Sequence, residues 1–179
     1  MILKVARMGH PVLRTRAAEV SEEEIASGAA MSLAADMFET MREYGGVGLA
    51  APQVHVSKRL LVVDVPKNAR RPDEMGLPMT VMVNPVVTPI GDEQTSDFEG
   101  CLSLPGLIGL VPRYSRILVQ WTGLDGSPLS AELSGFAATV VQHECDHLDG
   151  VLYVDRIRDM TTFQFTEEYA RFSRGTRHT

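Results

Sequence analysis

The sequence predicts an α+β fold in which mixed or antiparallel sheets pack around a central helix. Its candidate elements run in the order helix, strands, helix and short helix. The strand candidates are not separated by helices, as they would be in a doubly wound parallel sheet. Asp125-Gly126, a hairpin turn signal, lies between two of them. The length of 179 residues suits one domain, and we predict a single domain over residues 1–179.

The first predicted helix follows an irregular segment, residues 1–20. Ser21-Glu22-Glu23-Glu24 has the pattern of a capping box, which opens a helix, and Gly45-Gly46 ends it. Gly28 interrupts the span, so a start after Gly28 is a second possibility. Five apolar residues then recur at helical spacing: Leu33, Ala34, Met37, Phe38 and Met41.

Four segments read as strands. Residues 59–65 are rich in β-branched residues, and residues 80–87 form a second strand in which Asn84-Pro85 indicates an edge or a bulge. The segment between them, 66–79, is predicted to be an exposed loop. Residues 116–122 and 129–133 flank the hairpin turn.

The C-terminal part is predicted to be helical. Residues 136–148 form a short helix that ends near Gly150. Three aromatic residues then suggest a last short helix, stopped at Gly175: Phe165, Tyr169 and Phe172.

Composition excludes several classes of protein. Hydrophobic residues at 44% and charged residues at 22% are an ordinary globular balance, unlike a disordered chain, a collagen or a coiled-coil rod. No stretch is as long and apolar as a membrane helix. The net charge of −6 argues against a dedicated nucleic-acid binder. Two cysteines and an N-terminus without signal-peptide features predict a reducing cytosol, where a cysteine is more often a ligand or a nucleophile.

The chemistry-bearing segment is His143-Glu144-Cys145-Asp146-His147. Four residues on a helix turn about 400°, so both imidazoles leave one face and can hold one metal ion. Glu144 follows the first histidine, where its carboxylate can reach a water on the metal, as a metal-assisted hydrolase requires. Phe136 and Val140 continue the stripe of the two histidines, which places the histidines toward the interior. The alternative is a surface helix with scattered charges.

A metal on two histidines needs a third ligand. Cys145 lies about 200° around the helix from His143 and is better explained as a small buried residue. His10, His55 and His178 have no recognisable ligand context. Cys101, in Glu99-Gly100-Cys101-Leu102-Ser103-Leu104-Pro105, is the best candidate, because the flanking Gly and Pro suit a rigid loop or strand end. One thiolate and two imidazoles leave a fourth position open for water.

A third segment, residues 45–53, is read as a loop of small residues after the helix stop. It lacks the Gly-Lys-Ser/Thr of a phosphate loop and the spaced glycines of a dinucleotide fold. Its small residues allow the backbone to approach a ligand closely, with the amide of Gln53 beside it.

Taken together and in this order, the three segments resemble those of the peptide deformylase family: Gly46 to Gln53, Glu99 to Ser103, and Gln142 to Gly150. The resemblance implies an α+β fold and hydrolysis of the formyl group of N-terminal formyl-methionine, with release of formate. It implies Cys101, His143 and His147 as ligands of one divalent metal ion. Fe(II) is the typical ion of the family, and zinc, nickel or cobalt also suit these ligands.

The resemblance also implies roles around the metal. Glu144 is the general base and then the acid, and the backbone N–H of Leu102 and the amide of Gln53 donate to the developing oxyanion. Phe136, Thr139 and Val140, with Val47 on another side, are expected to bind the methionine side chain. The backbone of Val47 and Gly48 is expected to pair with an extended substrate.

The implied partners are newly made formylated polypeptides and, transiently, the ribosome, without DNA or membrane binding. The implied location is the cytoplasm of a bacterial-type cell, with an organelle as the alternative. The C-terminus offers only modest basic character for ribosome docking: Arg171, Arg174, Arg177 and His178.

Three charged residues near the motifs, Glu99, Arg113 and Asp146, permit two interpretations. Arg113 pairs with one of the carboxylates and orients ligands, or the charges are solvated. Residues 106–110 are apolar, whereas many relatives have an arginine or another polar residue in this loop. Rim contacts to the second and third substrate residues are therefore not among the roles that we carry over.

Three rival functions remain at this stage. An endopeptidase would need a downstream ligand and a long cleft, and neither shows in the sequence. A structural zinc would normally have four protein ligands and leave Glu144 idle. The third rival is an inactive or substrate-shifted deformylase-like metalloprotein.

Overall fold

A computed structural model describes residues 1–67 and 76–173 of the chain. In this structure an antiparallel five-stranded sheet lies between two helices. Its strands stand in the order β1-β2-β3-β6-β7. A second antiparallel sheet has the order β4-β5-β8. The α+β class predicted from the sequence is confirmed.

The helices and strands have the following bounds: α1 Glu22–Ala26, α2 Ala29–Glu43, β1 Gly48–Ala50, β2 Leu60–Val65, β3 Leu77–Pro89, β4 Gln94–Cys101, β5 Leu104–Tyr114, β6 Arg116–Thr122, β7 Pro128–Ser134, α3 Gly135–Leu148, β8 Gln164–Phe165 and α4 Thr166–Glu168. The described residues also contain single turns of 3₁₀ helix, one before α1 and the others between the later elements: Pro11–Arg14, Ala51–Val54, Tyr153–Arg156 and Met160–Thr162. A π-helical turn, Tyr169–Ser173, follows α4. None of the helices in the described residues is both long and apolar enough to cross a membrane.

The central strand β2 is buried on both faces. Leu61 and Val63 pack with the apolar face of α3, and Leu60 and Val62 pack with α2 on the other side. This double burial explains why β2 reads as an unbroken apolar run instead of an alternating one. Helix α3 is also packed on all sides, since every residue from 137 to 148 is buried.

Several sequence predictions are confirmed. The capping box opens α1 as expected, with Ser21 accepting from the Glu24 N–H and Glu24 accepting from the Ser21 N–H. Gly28, at φ +78°, separates α1 from α2, so the main helix does start after it. The hairpin of β6 and β7 and the bounds of α3 also agree with the prediction.

Other predictions are wrong or incomplete. The predicted loop over 45–53 contains β1 and a 3₁₀ turn, and the one over 66–79 already belongs to β3 from Leu77 onward. Residues 68–75 of that predicted loop lie outside the described residues, as does the predicted helix stop at Gly175. Strands β4 and β5 were not predicted at all, and residues 106–110, expected to be a loop, lie within β5.

The Asn84-Pro85 interruption is a bulge inside β3. Asn84 has φ +51°, and the pairing with β6 shifts register between Val83 and Val86. The Asn84 side chain accepts from the N–H of Val20 at 2.9 Å and donates to its carbonyl at 3.0 Å. The bulge therefore fastens the N-terminal segment to the sheet. The edge-strand alternative is wrong, because β3 pairs on both sides.

We expect Asn84→Ala to lower the free energy of unfolding by about 2–4 kcal/mol, measured by urea denaturation. The change removes both hydrogen bonds and puts a Cβ-bearing residue without a local hydrogen bond in left-handed backbone. Asn84→Gly is the matched control, because it loses the hydrogen bonds but tolerates φ +51°. It should be about 1 kcal/mol less destabilised than the alanine variant. If both variants lost the same free energy of unfolding, the left-handed backbone conformation would carry no free-energy cost for alanine.

Candidate metal centre

One thiol and two imidazoles meet where the end of β4 faces α3. The candidate ligand atoms of Cys101, His143 and His147 all lie within 4.8 Å of one another. Sγ of Cys101 is 3.2 Å from Nε2 of His147, and the two imidazole centroids are 5.0 Å apart. The helical spacing places the histidines one turn apart on one face of α3, and the strand end brings in the cysteine.

A buried chain of charges orients this cluster from behind. Nδ1 of His143 donates to Glu99 at 2.8 Å, which leaves Nε2 of His143 for a ligand. Arg113 donates to both Glu99 oxygens at 2.7 and 2.9 Å and to Asp146 at 2.6 Å. Arg156 closes the chain with two bonds of 2.5 Å to Asp146. Burial alone would raise the pKa of Glu99, but hydrogen bonds from Arg113 and His143 outweigh it and hold the pKa below its ordinary value.

The two interpretations of Arg113 are decided by these contacts. Arg113 pairs with both carboxylates instead of one, and its exposed fraction is only 4%. The solvated-charge interpretation is wrong for Asp146 as well, because Asp146 is 7% exposed. Cys145, by contrast, is buried on the opposite side of α3 as expected, and burial raises the pKa of its thiol.

Glu144 lies beside the cluster and is buried. Its Oε2 atom is buried and has no hydrogen-bond partner among the described residues. Burial raises the pKa of this carboxyl group to about 7. Gly48 of β1 packs directly onto it: a Cβ at Gly48 would lie 2.8 Å from Cγ and 2.9 Å from Cδ of Glu144. The position of this carboxylate therefore depends on the absence of a side chain at Gly48.

Gln53 reaches the same site from the 3₁₀ turn that follows β1. Its amide nitrogen donates to the Cys101 thiol at 3.5 Å and to the Ser103 hydroxyl at 3.2 Å. The N–H of Ala50 donates to its amide oxygen at 2.8 Å, which fixes the orientation of the amide. Ser103 is a site residue that the sequence reasoning missed, although it lies only two residues after Cys101.

A cavity of about 870 Å³ opens onto the cluster. Glu144, Gln53 and Leu102 line it. The five residues predicted to bind substrate also line it: Val47, Gly48, Phe136, Thr139 and Val140. Phe136 is 40% exposed at the mouth, whereas Thr139 and Val140 are buried.

Strand β1 forms one edge of the five-stranded sheet, beside the cavity. The Val47 carbonyl accepts from the N–H of Asp64 on β2 at 2.9 Å. This carbonyl therefore already has a partner on β2, and the expectation that the backbone of Val47 pairs with a substrate stays a prediction. In an antiparallel ladder the next residue faces the other way, so the N–H and C=O of Gly48 point to the open edge.

The donor set fits a divalent metal ion. A thiolate and two imidazoles suit the borderline-soft ions of the first transition row, and burial lowers the pKa of His147 so that it is the neutral form that binds a metal. In the described part of the chain, no fourth His, Cys, Asp or Glu joins the group. The set is therefore not the closed four-ligand kind typical of structural zinc.

Comparison with known proteins agrees with this geometry. The family model described as polypeptide deformylase matches residues 2–163. The chain belongs to the peptide deformylase family. Peptide deformylase 2 of Pseudomonas putida is 46% identical over 93% of this chain and 94% of its own. Peptide deformylase 1 of Bordetella pertussis is 48% identical with the same coverage. A class I type b peptide deformylase from Acinetobacter baumannii superposes with a TM-score of 0.83 at 42% identity, over 88% of this chain and 99% of that one.

This peptide deformylase has cavity residues that the sequence did not single out. Lys4, Arg7, Phe98, Leu107 and Thr166 all line the cavity, yet they lie outside the three motifs. No local pattern marks them, because strand pairing and chain reversal bring them to the site. Leu107 and Thr166 come from the unpredicted β5 and from the end of the chain.

Replacing Arg113 by Met should weaken both the fold and the metal site. The change leaves the buried carboxylate of Glu99 without a cation, which costs about 3–5 kcal/mol of unfolding free energy. Arg113 holds the Glu99 carboxylate that orients His143, so its loss should also lower metal affinity about 10–100-fold. Urea denaturation and competitive metal titration measure the two effects.

Arg156→Met is the matched control, because Arg156 binds the same Asp146 but its side chain is 45% exposed. Asp146 keeps Arg113 in this variant, so both losses should be much smaller. Equal effects of the two variants would contradict the special role of the Glu99–Arg113 pair.

Proposed function

We propose that Cys101, His143, His147 and Glu144 carry out the reaction of this peptide deformylase on the formyl group of N-terminal formyl-methionine. The observation that carries the proposal is the buried Glu144 carboxylate beside an open three-ligand set, at the base of a cavity with an apolar wall. The products are formate and a free α-amine. A structural zinc site would need neither the carboxylate nor the cavity.

The three ligands would hold one divalent ion, and we propose Fe(II) as the resident ion on the family resemblance. Zinc, nickel and cobalt suit the same donors. When bound, such an ion supplies Lewis acidity that makes a water nucleophilic at neutral pH. The Glu99 contact keeps Nε2 of His143 turned toward the ligand group, and the Gln53 amide donates to the Cys101 sulfur.

Glu144 is proposed to move the proton. Its unpartnered oxygen takes the proton of the attacking water and later gives it to the nitrogen of the breaking C–N bond. A carboxyl group whose pKa lies near neutrality is suited to both transfers. The contact with Gly48 limits where the carboxylate can move between the two steps.

Charge that develops on the formyl oxygen is proposed to be met by the Gln53 amide and the backbone N–H of Leu102. Gln53 is 1% exposed and its orientation is fixed by Ala50. The two N–H groups of this amide donate to Cys101 at 3.5 Å and Ser103 at 3.2 Å, so the longer bond, to Cys101, is the one given up for the oxyanion. Each such donor is worth about 2.7–4 kcal/mol in the transition state.

The cavity wall accounts for the choice of methionine. Val47, Phe136 and Val140 offer apolar contact to an unbranched side chain, and Thr139 completes the wall. The backbone of Val47 and Gly48 is proposed to pair with the substrate backbone as an added strand. Main-chain pairing recognises an extended peptide without reading its later side chains.

We further propose that the chain is one domain over 1–179 that meets nascent formylated polypeptides in the cytoplasm of a bacterial-type cell. The named bacterial relatives and the reduced thiols of Cys101 and Cys145 support this location. Contact with the ribosome would be transient. Of the basic C-terminal residues only Arg171 lies in the described part; Arg174, Arg177 and His178 lie outside it.

The test is formate release from a short formyl-Met peptide by protein purified without oxygen, with its metal content measured. Turnover with about one metal ion per chain is expected, and the ion found identifies the resident metal. Metal-loaded protein that releases no formate would overturn the proposed function.

Glu144→Gln should reduce formate release by at least about 10²-fold, because the amide cannot accept the proton. Metal content should stay at one ion per chain, since Glu144 is not a ligand. Cys101→Ala is the comparison, in which metal and activity fall together. Loss of metal from the Glu144 variant would mean that Glu144 holds the ion instead of moving protons.

Gly48→Ala should reduce formate release about 10²-fold, because the new methyl group must displace the Glu144 carboxylate by roughly an ångström. Thermal unfolding and metal content should change little. Gly100→Ala is the matched control: its Cβ would lie 3.5 Å from the Leu107 carbonyl, an ordinary contact next to the ligand Cys101. A loss of similar size in both variants would contradict the explanation through Glu144.

A further inference from the structure

A second cavity, of about 410 Å³, lies on the side of α3 that faces away from the candidate metal ligands. Its floor follows one helical stripe of α3 and the residue after the helix: Gln142, Cys145, Asp146 and Asp149. None of these four lines the cavity that contains the candidate metal ligands. We call this second space the rear cavity. Its volume is typical of a small-molecule site.

The lining of the rear cavity is positively charged overall, although the whole chain has a net charge of −6. Its charged residues are four arginines and two aspartates: Arg16, Arg59, Arg113, Arg156, Asp146 and Asp149. Glu99, which is not part of the lining, binds Arg113 and offsets one of the two excess positive charges. One positive charge therefore remains for an anionic ligand.

Much of the remaining lining is apolar. It comes from the bulge of β3 and from β5: Pro85, Val86, Val87, Pro89 and Pro112. A proline has no N–H group and a fixed φ, so three of these residues present rigid surface without a backbone donor. Such a wall favours an anion with an apolar body over a hydrated inorganic ion.

Arg59 carries an open hydrogen-bonding edge in the rear cavity. Its Nη1 atom donates to the Asp149 carboxylate at 2.7 Å and to the Leu148 carbonyl at 3.3 Å, which fixes the guanidinium. Its Nε and Nη2 atoms make no hydrogen bond to any of the described residues. The side chain is only 12% exposed, yet neither atom is fully buried. Because Arg59 lines the rear cavity, this pair of donors is open to it.

The same edge of the guanidinium binds carboxylates twice elsewhere in this protein. Arg113 donates from Nε and Nη2 to the two oxygens of Glu99, and Arg156 donates from Nε and Nη2 to Asp146. Such parallel bonds match the shape of a carboxylate and are stronger than neutral hydrogen bonds. In the described part of the chain, no carboxylate takes this edge of Arg59.

We propose that the rear cavity is a binding site for a small organic carboxylate. The carboxylate lies on the Nε–Nη2 edge of Arg59, and the apolar body packs against Val86 and the prolines of the wall. Arg16 adds a second cation, whose side chain is 80% exposed and whose Nε atom is 3.8 Å from Asp149. The site is separate from the metal ligands and does not depend on the proposed function.

The test titrates zinc-loaded protein with benzoate, a carboxylate with a compact apolar body, and follows the backbone amide resonances by NMR. Saturable shifts are expected at Val86 and Cys145 in the rear cavity, without comparable shifts at Val47 and Gly48 beside the candidate metal ligands. Benzamide, the neutral analogue, should cause no saturable shift. Inorganic phosphate should bind at least about ten-fold more weakly than benzoate, because it makes no apolar contact.

Arg59→Lys should raise the dissociation constant for benzoate about ten-fold, because lysine keeps the charge but cannot present two parallel N–H donors. Arg116→Lys is the matched control, since Arg116 pairs with Glu132 and lies outside the rear cavity. Its dissociation constant should equal that of the unmodified protein.

Val86→Asp is a second variant, which leaves Arg59 and its structural contacts in place. Val86 is 59% exposed, so the change removes little packing. The new carboxylate repels the ligand and should raise the dissociation constant at least about ten-fold. Val86→Thr keeps the β-branched shape without the charge and should stay within about two-fold of the unmodified protein.

The absence of any saturable shift with benzoate would overturn the site, as would a dissociation constant that Arg59→Lys leaves unchanged. Phosphate binding as tight as that of benzoate would overturn the organic class of ligand. Shifts confined to Val47 and Gly48 would place benzoate at the metal ligands and also overturn the proposal.

Discussion

The buried guanidinium of Arg113 holds the candidate site together. Arg113 lies on β5, and its guanidinium can only donate hydrogen bonds. It donates to Glu99 on the neighbouring β4 and to Asp146 on α3. A buried cation is costly unless its charge and its N–H groups are satisfied, and here two buried carboxylates satisfy it. The consequence is geometric: the strand end that bears Cys101 and the helix that bears His143 and His147 are fixed to each other by one side chain. Cys101 and the two histidines come from elements distant in sequence, and the ionic chain sets the separation between that strand end and that helix.

Helix α3 contacts both the cavity and the hydrophobic core, because its faces differ in polarity. One face carries the histidines and Glu144 toward the cavity, and another packs Val141, Cys145 and Leu148 into the core of the five-stranded sheet. Full burial deprives polar side chains of water, so each must find a protein partner or a ligand. His143 and Asp146 have protein partners, whereas Glu144 Oε2 has none among the described residues. Four other buried atoms of the described residues also lack a partner, namely Ser115 Oγ, Trp121 Nε1, His147 Nδ1 and Tyr153 Oη, so it is the position of Glu144 beside the ligand cluster that assigns it to the chemistry.

The sequence correctly predicts those parts of the structure that depend on residues close together in the chain. Helical spacing placed both histidines on one face, the capping box marked α1, and Asp125-Gly126 located a hairpin. The sequence did not predict β4 and β5, because their Gly, Pro, Ser and Asp residues have low β-propensity and the stability of these strands comes from pairing with each other. It also left open whether Arg113 was buried, since a lone arginine looks the same in sequence whether solvated or enclosed. Leu107 and Thr166 gave no signal, because only the tertiary fold brings them to the cavity.

The two sides of the cavity differ in how strictly the size and position of their side chains are constrained. On the side of Glu144, Gly48 must lack a side chain, and a displacement of about 1 Å would misplace a reacting group. The outer wall includes Leu104 and Leu107, and dispersion and hydrophobic contact there vary smoothly with the size of the side chain. A chain can therefore alter the outer wall without disturbing the reaction. Thr166, which lines the cavity, lies beyond the residues matched by the family model, while all three candidate ligands and Glu144 lie within them.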